Sequence, residues 1–283
     1  MNQALDTALT ALVYLAATFV LFVVGRLVYR LFHPGVHVGR ELVEHDNFAF
    51  AVAHVGYYVG LLLSIGGAIV GPTRGLVQDL IDIGTYGGLA IVLLNLSILL
   101  NDKLILRKFL VRKEILEDRN TGTGVIEGAN AVATGLIILG AVSGEGGNWL
   151  TALAFWGVGQ GVLLLTAVVY NLILPYDLHD HVERDNVAVG IGFAGAIVAL
   201  GNLIRYALSG DFETWGETLG EVGIEVVLGL LLLPLARLLT DRILLPGRRL
   251  TDELINQEKP NEGAALVEAF AYVGGSVLIT WCL

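Results

Sequence analysis

Asp46-Asn47-Phe48-Ala49-Phe50-Ala51 and Asp185-Asn186-Val187-Ala188-Val189-Gly190 each open an apolar run long enough to cross a bilayer, Phe48–Val70 and Val187–Leu208. Asparagine and aspartate belong at helix N-caps, where their side-chain oxygens satisfy the free amides of the first turn. Each motif therefore predicts a membrane helix with a capped start. Working outward, further runs lie at Ala8–Phe32, Ile83–Leu100, Gly122–Gly140, Leu150–Leu174, Val222–Leu239 and Gly263–Leu283. The first follows Asp6 with no lysine or arginine before it, unlike a cleaved leader, and reads as a retained span. Residues that are 55% apolar and 16% charged, with a mean hydropathy of +0.71, fit no soluble domain of this length. The fold class expected is all-α, a polytopic membrane bundle of about eight helices. Most of the 36 glycines sit inside the apolar runs, where they let helices approach closely.

Lysine and arginine set the orientation, because cytoplasmic loops retain them. Of the 17, all but Arg74 and Arg205 fall on one side, with six between Lys103 and Arg119 and a second group at Arg237, Arg242, Arg248, Arg249 and Lys259. Asp79, Asp82, Glu145, Asp211, Glu213 and Glu217 fall on the other. Trp149, Trp215 and Trp281 mark that outer interface, and Tyr29 and Tyr170 the inner one. Both termini are expected outside the cytoplasm.

The chain repeats itself. Tyr29-Arg-Leu-Phe-His-Pro34 returns as Tyr170-Asn-Leu-Ile-Leu-Pro175, and Leu100-Asn-Asp102-Lys as Leu239-Thr-Asp241-Arg. Glu114 follows Asp102 at the spacing at which Glu253 follows Asp241. Two four-helix halves result, residues 1–145 and 146–283. An even number of spans per half makes them parallel, related by an axis normal to the membrane. A fainter repeat within each half places Asn47, Asn120, Asn186 and Asn261 at the start of the even-numbered spans. Seven residues on stand His54, Glu127, Phe193 and Glu268.

This pattern, carried by Glu41, the Asp46-Asn47-x-Ala-x-Ala run, Asp102-Lys103, Glu114 and Asn120 with Glu127, resembles the YjfL-type bacterial inner-membrane proteins, known as domain of unknown function 350. The resemblance covers nearly the whole chain as two tandem copies. It implies a four-span unit in the inner membrane and a part in cell-envelope systems, and no activity. Phe193 and the longer Glu258-Lys-Pro-Asn261 approach depart from the pattern.

An ionised carboxylate in mid-membrane costs about 3 kcal/mol, so Glu127 and Glu268, roughly 10 Å inside their helices, call for a reason. One is a central cavity in which both bind or relay a proton or small cation. The other is bundle locking through hydrogen bonds to the repeat asparagines or Asn130. Asn47, Asn120, Asn186 and Asn261 read as caps; four converging helix starts would also attract an anion. Glu225 reads as interfacial, with its carboxylate snorkelling to water. His33, His37, His45, His179 and His181 gather on the basic side, but Pro34 and Gly35 break the helical face that His33 and His37 would need to share a metal. His54 reads as a packing residue. Gly190-x-Gly192-x-x-Gly195 follows no strand and reads as a helix contact rather than a dinucleotide loop, as do Gly56/Gly60 and Gly157/Gly161.

A net charge of -10 argues against nucleic acid. The lone Cys282 excludes an internal disulfide or a cysteine-built cluster, and no cofactor or metal is expected. No HExxH, serine dyad or GxGD motif speaks for an enzyme. The favoured reading is a channel or transporter for a proton or small ion, running between the two halves and lined by Glu127, Glu268, His54, Asn47, Asn120, Asn186 and Asn261. The alternative is a non-conducting envelope scaffold whose basic loops bind anionic lipid or a cytoplasmic partner. Small-residue stripes leave room for a homodimer.

Overall fold

All four repeat asparagines cap helices. In the computed structural model of the chain, which describes residues 3–71, 73–144, 146–245 and 247–283, their Oδ1 atoms accept from the backbone N–H of Phe50, Thr123, Val189 and Ala264 at 3.0, 2.8, 3.1 and 3.0 Å. Helices α1 (Gln3–Phe32), α2 (Phe48–Val70), α3 (Leu76–Leu104), α4 (Val111–Leu116), α5 (Thr121–Ser143), α6 (Trp149–Ile173), α7 (Leu178–Glu183), α8 (Val187–Leu208), α9 (Trp215–Leu239), α10 (Leu250–Ile255) and α11 (Glu262–Cys282) follow in order. Single π-helical turns lie at Arg40–Glu44 and Thr240–Leu244. Among the described residues, eight helices are long and apolar enough to cross a bilayer: all but α4, α7 and α10. The chain is a multi-pass, all-helical membrane protein. Glu145 lies outside the described residues.

Each unit of the repeat is one long helix, a short helical turn on the basic face, and an asparagine-capped helix. The residue before the cap turns the chain by adopting a left-handed conformation at Asp46 (φ 46°), Arg119 (φ 54°) and Asp185 (φ 58°). Pro260 cannot do so, because its ring fixes φ near -65°. The fourth approach is accordingly longer: the Asn261 N–H donates back to Glu253 O at 2.9 Å, whereas those of Asn47 and Asn120 close on Glu41 and Glu114.

The capped spans pack side by side in one row, α2–α5–α8–α11, and the long helices form a looser second row, α1–α3–α6–α9. The contact between the two halves, α5 on α8, is thus of the same kind as the contacts within each half. Glycine makes the row dense. A methyl group added at Gly56 would fall 2.2 Å from Gly128 Cα, one at Gly190 2.7 Å from Gly122 O, and one at Gly195 2.5 Å from Ala269 Cα. The GxGxxG run and Gly56/Gly60 are therefore helix contacts. A methyl group added at Gly157 or Gly161 would meet nothing within 4 Å, so this pair faces away from the bundle and is not the helix contact expected of it.

Helices α3 and α9 start earlier than their apolar runs. Near the start of α3, Asp79 accepts from Tyr14 Oη (2.5 Å), Thr73 Oγ1 (2.6 Å) and the Arg74 N–H (2.7 Å). Thr214 caps α9 through the Glu217 N–H at 3.3 Å, so Glu217 lies in the first turn, where the helix dipole favours an acid, rather than in a loop. The earlier start carries Glu225 well inside the helix. It is 4% exposed, which overturns the interfacial expectation. Tyr170 is likewise 1% exposed, facing the bundle interior and not the headgroups.

Candidate functional site: two buried glutamates in unlike surroundings

The repeat asparagines do a second task with the other end of the amide. Asn47 Nδ2 donates to Ile115 O in the next unit at 2.8 Å, Asn120 Nδ2 to Val182 O at 2.7 Å, and Asn186 Nδ2 to Leu254 O at 2.8 Å. Each capped helix is thereby tied to the short helix that follows the next long span. Asn261 Nδ2, among the described residues, donates to Glu253 Oε2 at 2.9 Å, within its own approach, and Asn261 is exposed. Glu41 and Glu114 brace the first two asparagines at 3.3 and 2.9 Å. Burial pushes the Glu114 carboxyl above its ordinary range, and the Asn120 amide opposes that shift. The four helix starts stand along the row, one per unit, and do not converge on a mouth.

Each glutamate is enclosed by its own half. Glu127 lies six residues into α5, about 9 Å along the helix, and 9% exposed. Its carboxyl faces Asp102, near the end of α3. The two carboxyls hydrogen-bond each other, and beyond that contact Glu127 Oε2 and Asp102 Oδ1 have no protein partner among the described residues. A cavity of about 70 Å³ reaches both acids from the basic face, lined also by Tyr29, Tyr57, Ile98 and Ala131, with His33 and Arg112 toward its mouth. Glu268 is 0% exposed and paired with a cation: Arg237 Nη1 donates to its Oε1 at 2.8 Å, and Tyr272 Oη to the same atom at 3.1 Å. Arg237 Nη2 reaches Thr251 Oγ1 at 2.9 Å. The two acids named from the sequence are therefore not brought together.

His54 packs as the sequence suggested, 3% exposed among Tyr29, Phe50, Tyr57 and Tyr58, with ring centroids 4.4 to 6.0 Å away. Neither of its nitrogens has a protein partner. Of the remaining motif residues, Asp185 Oδ1 accepts from the Gly122 N–H at 3.2 Å, and Asp241 Oδ1 from the Leu250 N–H at 2.6 Å. Both are loop braces. The histidines of the basic side go separate ways: His33 to Tyr29 O, His45 to Glu41, His179 to Ile105 O, and His181 against Tyr176. Asn130 is fully buried and forms no hydrogen bond with Glu127.

Sequence reasoning missed Arg237 as the partner of Glu268 and Asp102 as that of Glu127. Alignment of the repeats held the signal. The motif that equates Asp102 with Asp241 also sets Ile98 against Arg237, so one half has a cation where the other has an aliphatic side chain.

A second cavity, of about 100 Å³, opens on the opposite face, lined by Tyr14, Asp79, Asp82 and Tyr86 of the first half and by Asn148 and Thr151 of the second, among others. Between the two cavities lies an apolar layer that includes Leu61, Ile65, Ile91, Leu94 and Ile138, each at most 2% exposed.

The chain is similar to a "UPF0719 transmembrane protein" of Aquifex aeolicus (strain VF5), 21% identical over 185 residues, which span 64% of this chain and 66% of that protein's length. No solved structure matches the chain. Each four-helix half, two of these capped-helix units, matches one copy of a known family's profile: the chain belongs to the Domain of Unknown Function (DUF350) family, matched twice in tandem, over residues 3–142 and 146–283.

Proposed function

We propose that this protein is a channel or transporter for a proton or small cation, and that the path runs within the first half, with Asp102 and Glu127 as its binding acids. The observation that carries this reading is the pair of facing carboxyls at the floor of a cavity, Glu127 buried and Asp102 half-buried, neither in an ion pair with a cation among the described residues. Two ionised carboxylates cannot share so dry a site; a proton or a bound cation must accompany them. The second cavity on the opposite face supports passage rather than simple binding, across an apolar layer about 15 Å deep, the rise of α5 from Ala131 to Ala141. The second half, whose acid is already neutralised by Arg237, serves as scaffold. The basic face is read as cytoplasmic in a bacterial inner membrane, with both termini outside, because the arginines and lysines gather there.

The test is proton and monovalent-cation flux in proteoliposomes. Wild type should exceed empty liposomes, and Glu127→Gln with Asp102→Asn should fall to the empty-liposome rate. Wild-type flux no greater than that of empty vesicles sinks the reading and leaves a lipid- or partner-binding scaffold.

A further inference from the structure

We infer that the cavity above Asp102 and Glu127 is a binding site for a small organic cation of the guanidinium or primary ammonium class. The inference rests on the reading of that cavity as the functional site and names its ligand chemistry.

The argument comes from the second half, which fills the equivalent place with its own side chains. There the Arg237 guanidinium sits against the fully buried Glu268, 6.0 Å from the centre of the Tyr176 ring, with the Tyr272 hydroxyl on the same carboxylate. The repeat motifs equate Tyr170 with Tyr29, Pro175 with Pro34, Asp241 with Asp102 and Asn261 with Asn120. Carried along the chain, they equate Arg237 with Ile98, Tyr176 with Gly35 and Tyr272 with Ala131. Three large side chains become three small or aliphatic ones, while the tyrosine and both acids stay.

Ile98 and Ala131 line the first-half cavity, and Gly35 lies next to Val36, which does. The space is thus what remains when an arginine and two tyrosines give way to smaller residues, less the part filled by Tyr57, the equivalent of Ala196, while the carboxylates are kept. Glu127, on a side chain about nine-tenths buried, borders that space with the Asp102 carboxyl as its one partner among the described residues, and no cation meets its Oε2. Tyr29 and Tyr57 add aromatic walls, which attract cations through the ring faces. Arg112, the equivalent of Thr251, is exposed at the mouth and forms no ion pair with either acid among the described residues. A free guanidinium or primary ammonium ion would restore the charge balance that Arg237 provides in the other half.

The experiment measures binding of guanidinium and of methylammonium to the purified full-length protein in lipid nanodiscs, by calorimetry, with sodium chloride at equal ionic strength as the reference. One saturable site per chain is expected for at least one of the two ions. Glu127→Gln should weaken it tenfold or more. Ile98→Arg, which installs a tethered guanidinium, should abolish it while the protein keeps its elution profile. Should that variant fail to fold, Glu127→Gln decides alone. Absence of saturable binding of either ion to the wild type, or binding unchanged in Glu127→Gln, overturns the inference. Proton flux without such binding removes this inference and leaves the transport reading; binding without flux of any ion does the reverse.

Discussion

Arg237 and Glu268 form an ion pair at 2.8 Å in which the carboxylate is 0% exposed and the arginine side chain 12%. Removing one member strands the other in a dry environment, which for buried pairs costs on the order of 3–5 kcal/mol. Arg237→Ala should therefore lower the unfolding temperature in detergent by much more than the double change Arg237→Leu with Glu268→Gln, which leaves no bare charge. Equal losses would mean that the pair contributes packing alone.

Asn120 caps α5 and also ties it to Val182, whereas Asn261 caps α11 and, among the described residues, reaches only its own approach. Loss of a cap is worth about 1 kcal/mol and each further buried hydrogen bond roughly another. Asn120→Ala should cost about 2–3 kcal/mol and Asn261→Ala about 1 kcal/mol. Chemical denaturation of the two variants side by side checks the order, and a larger loss at Asn261 would contradict the tie.

The two GxxxG pairs should part company. A side chain at Gly56 runs into the Gly128 backbone, so Gly56→Val should destabilise by at least the roughly 1–3 kcal/mol of an overpacked core. The Cβ of Gly157→Ala meets nothing within 4 Å, and this variant should stay within about 0.5 kcal/mol of wild type. Thermal unfolding of both variants in the same detergent is the measurement.

His33, just past the end of α1, has its imidazole pushed below the ordinary range, first by burial and then by Arg112 against the favourable Tyr29 carbonyl. In this window the unfolded chain binds more protons than the folded one, so stability rises with pH. The contribution of His33 is whole above the ordinary imidazole pKa and is lost as pH falls through the depressed one. Melting temperature should drop between pH 7 and pH 5, and His33→Gln should flatten that part of the profile. An unchanged slope in the variant would assign the dependence to another group.

What the sequence told and withheld follows from the range of each interaction. The spans, the repeat and the asparagine caps are local or periodic, and the Phe48–Val70 and Val187–Leu208 boundaries agree with the structure to the residue. Glu225 was misread because the capping threonine at 214 lies in a polar stretch that hydropathy passes over. The partners of Glu127 and Glu268 are set by which helices neighbour one another, and no motif states that. The row arrangement, hence the separation of the two glutamates, was equally hidden: parallel halves are compatible with a ring or a file.

A file joined by the same tie at each step has a growing end. During synthesis each emerging hairpin supplies the carbonyl that its predecessor's asparagine awaits, so assembly can proceed in chain order, with α2 waiting on α4 and α5 on α7. Such a design lengthens by gene duplication without redesign, since a new unit needs only one cap at its start and one acceptor for the cap before it. Once copies exist, any of them is free to close its acid with an arginine while another keeps it bare, and the two halves of this chain display both fates.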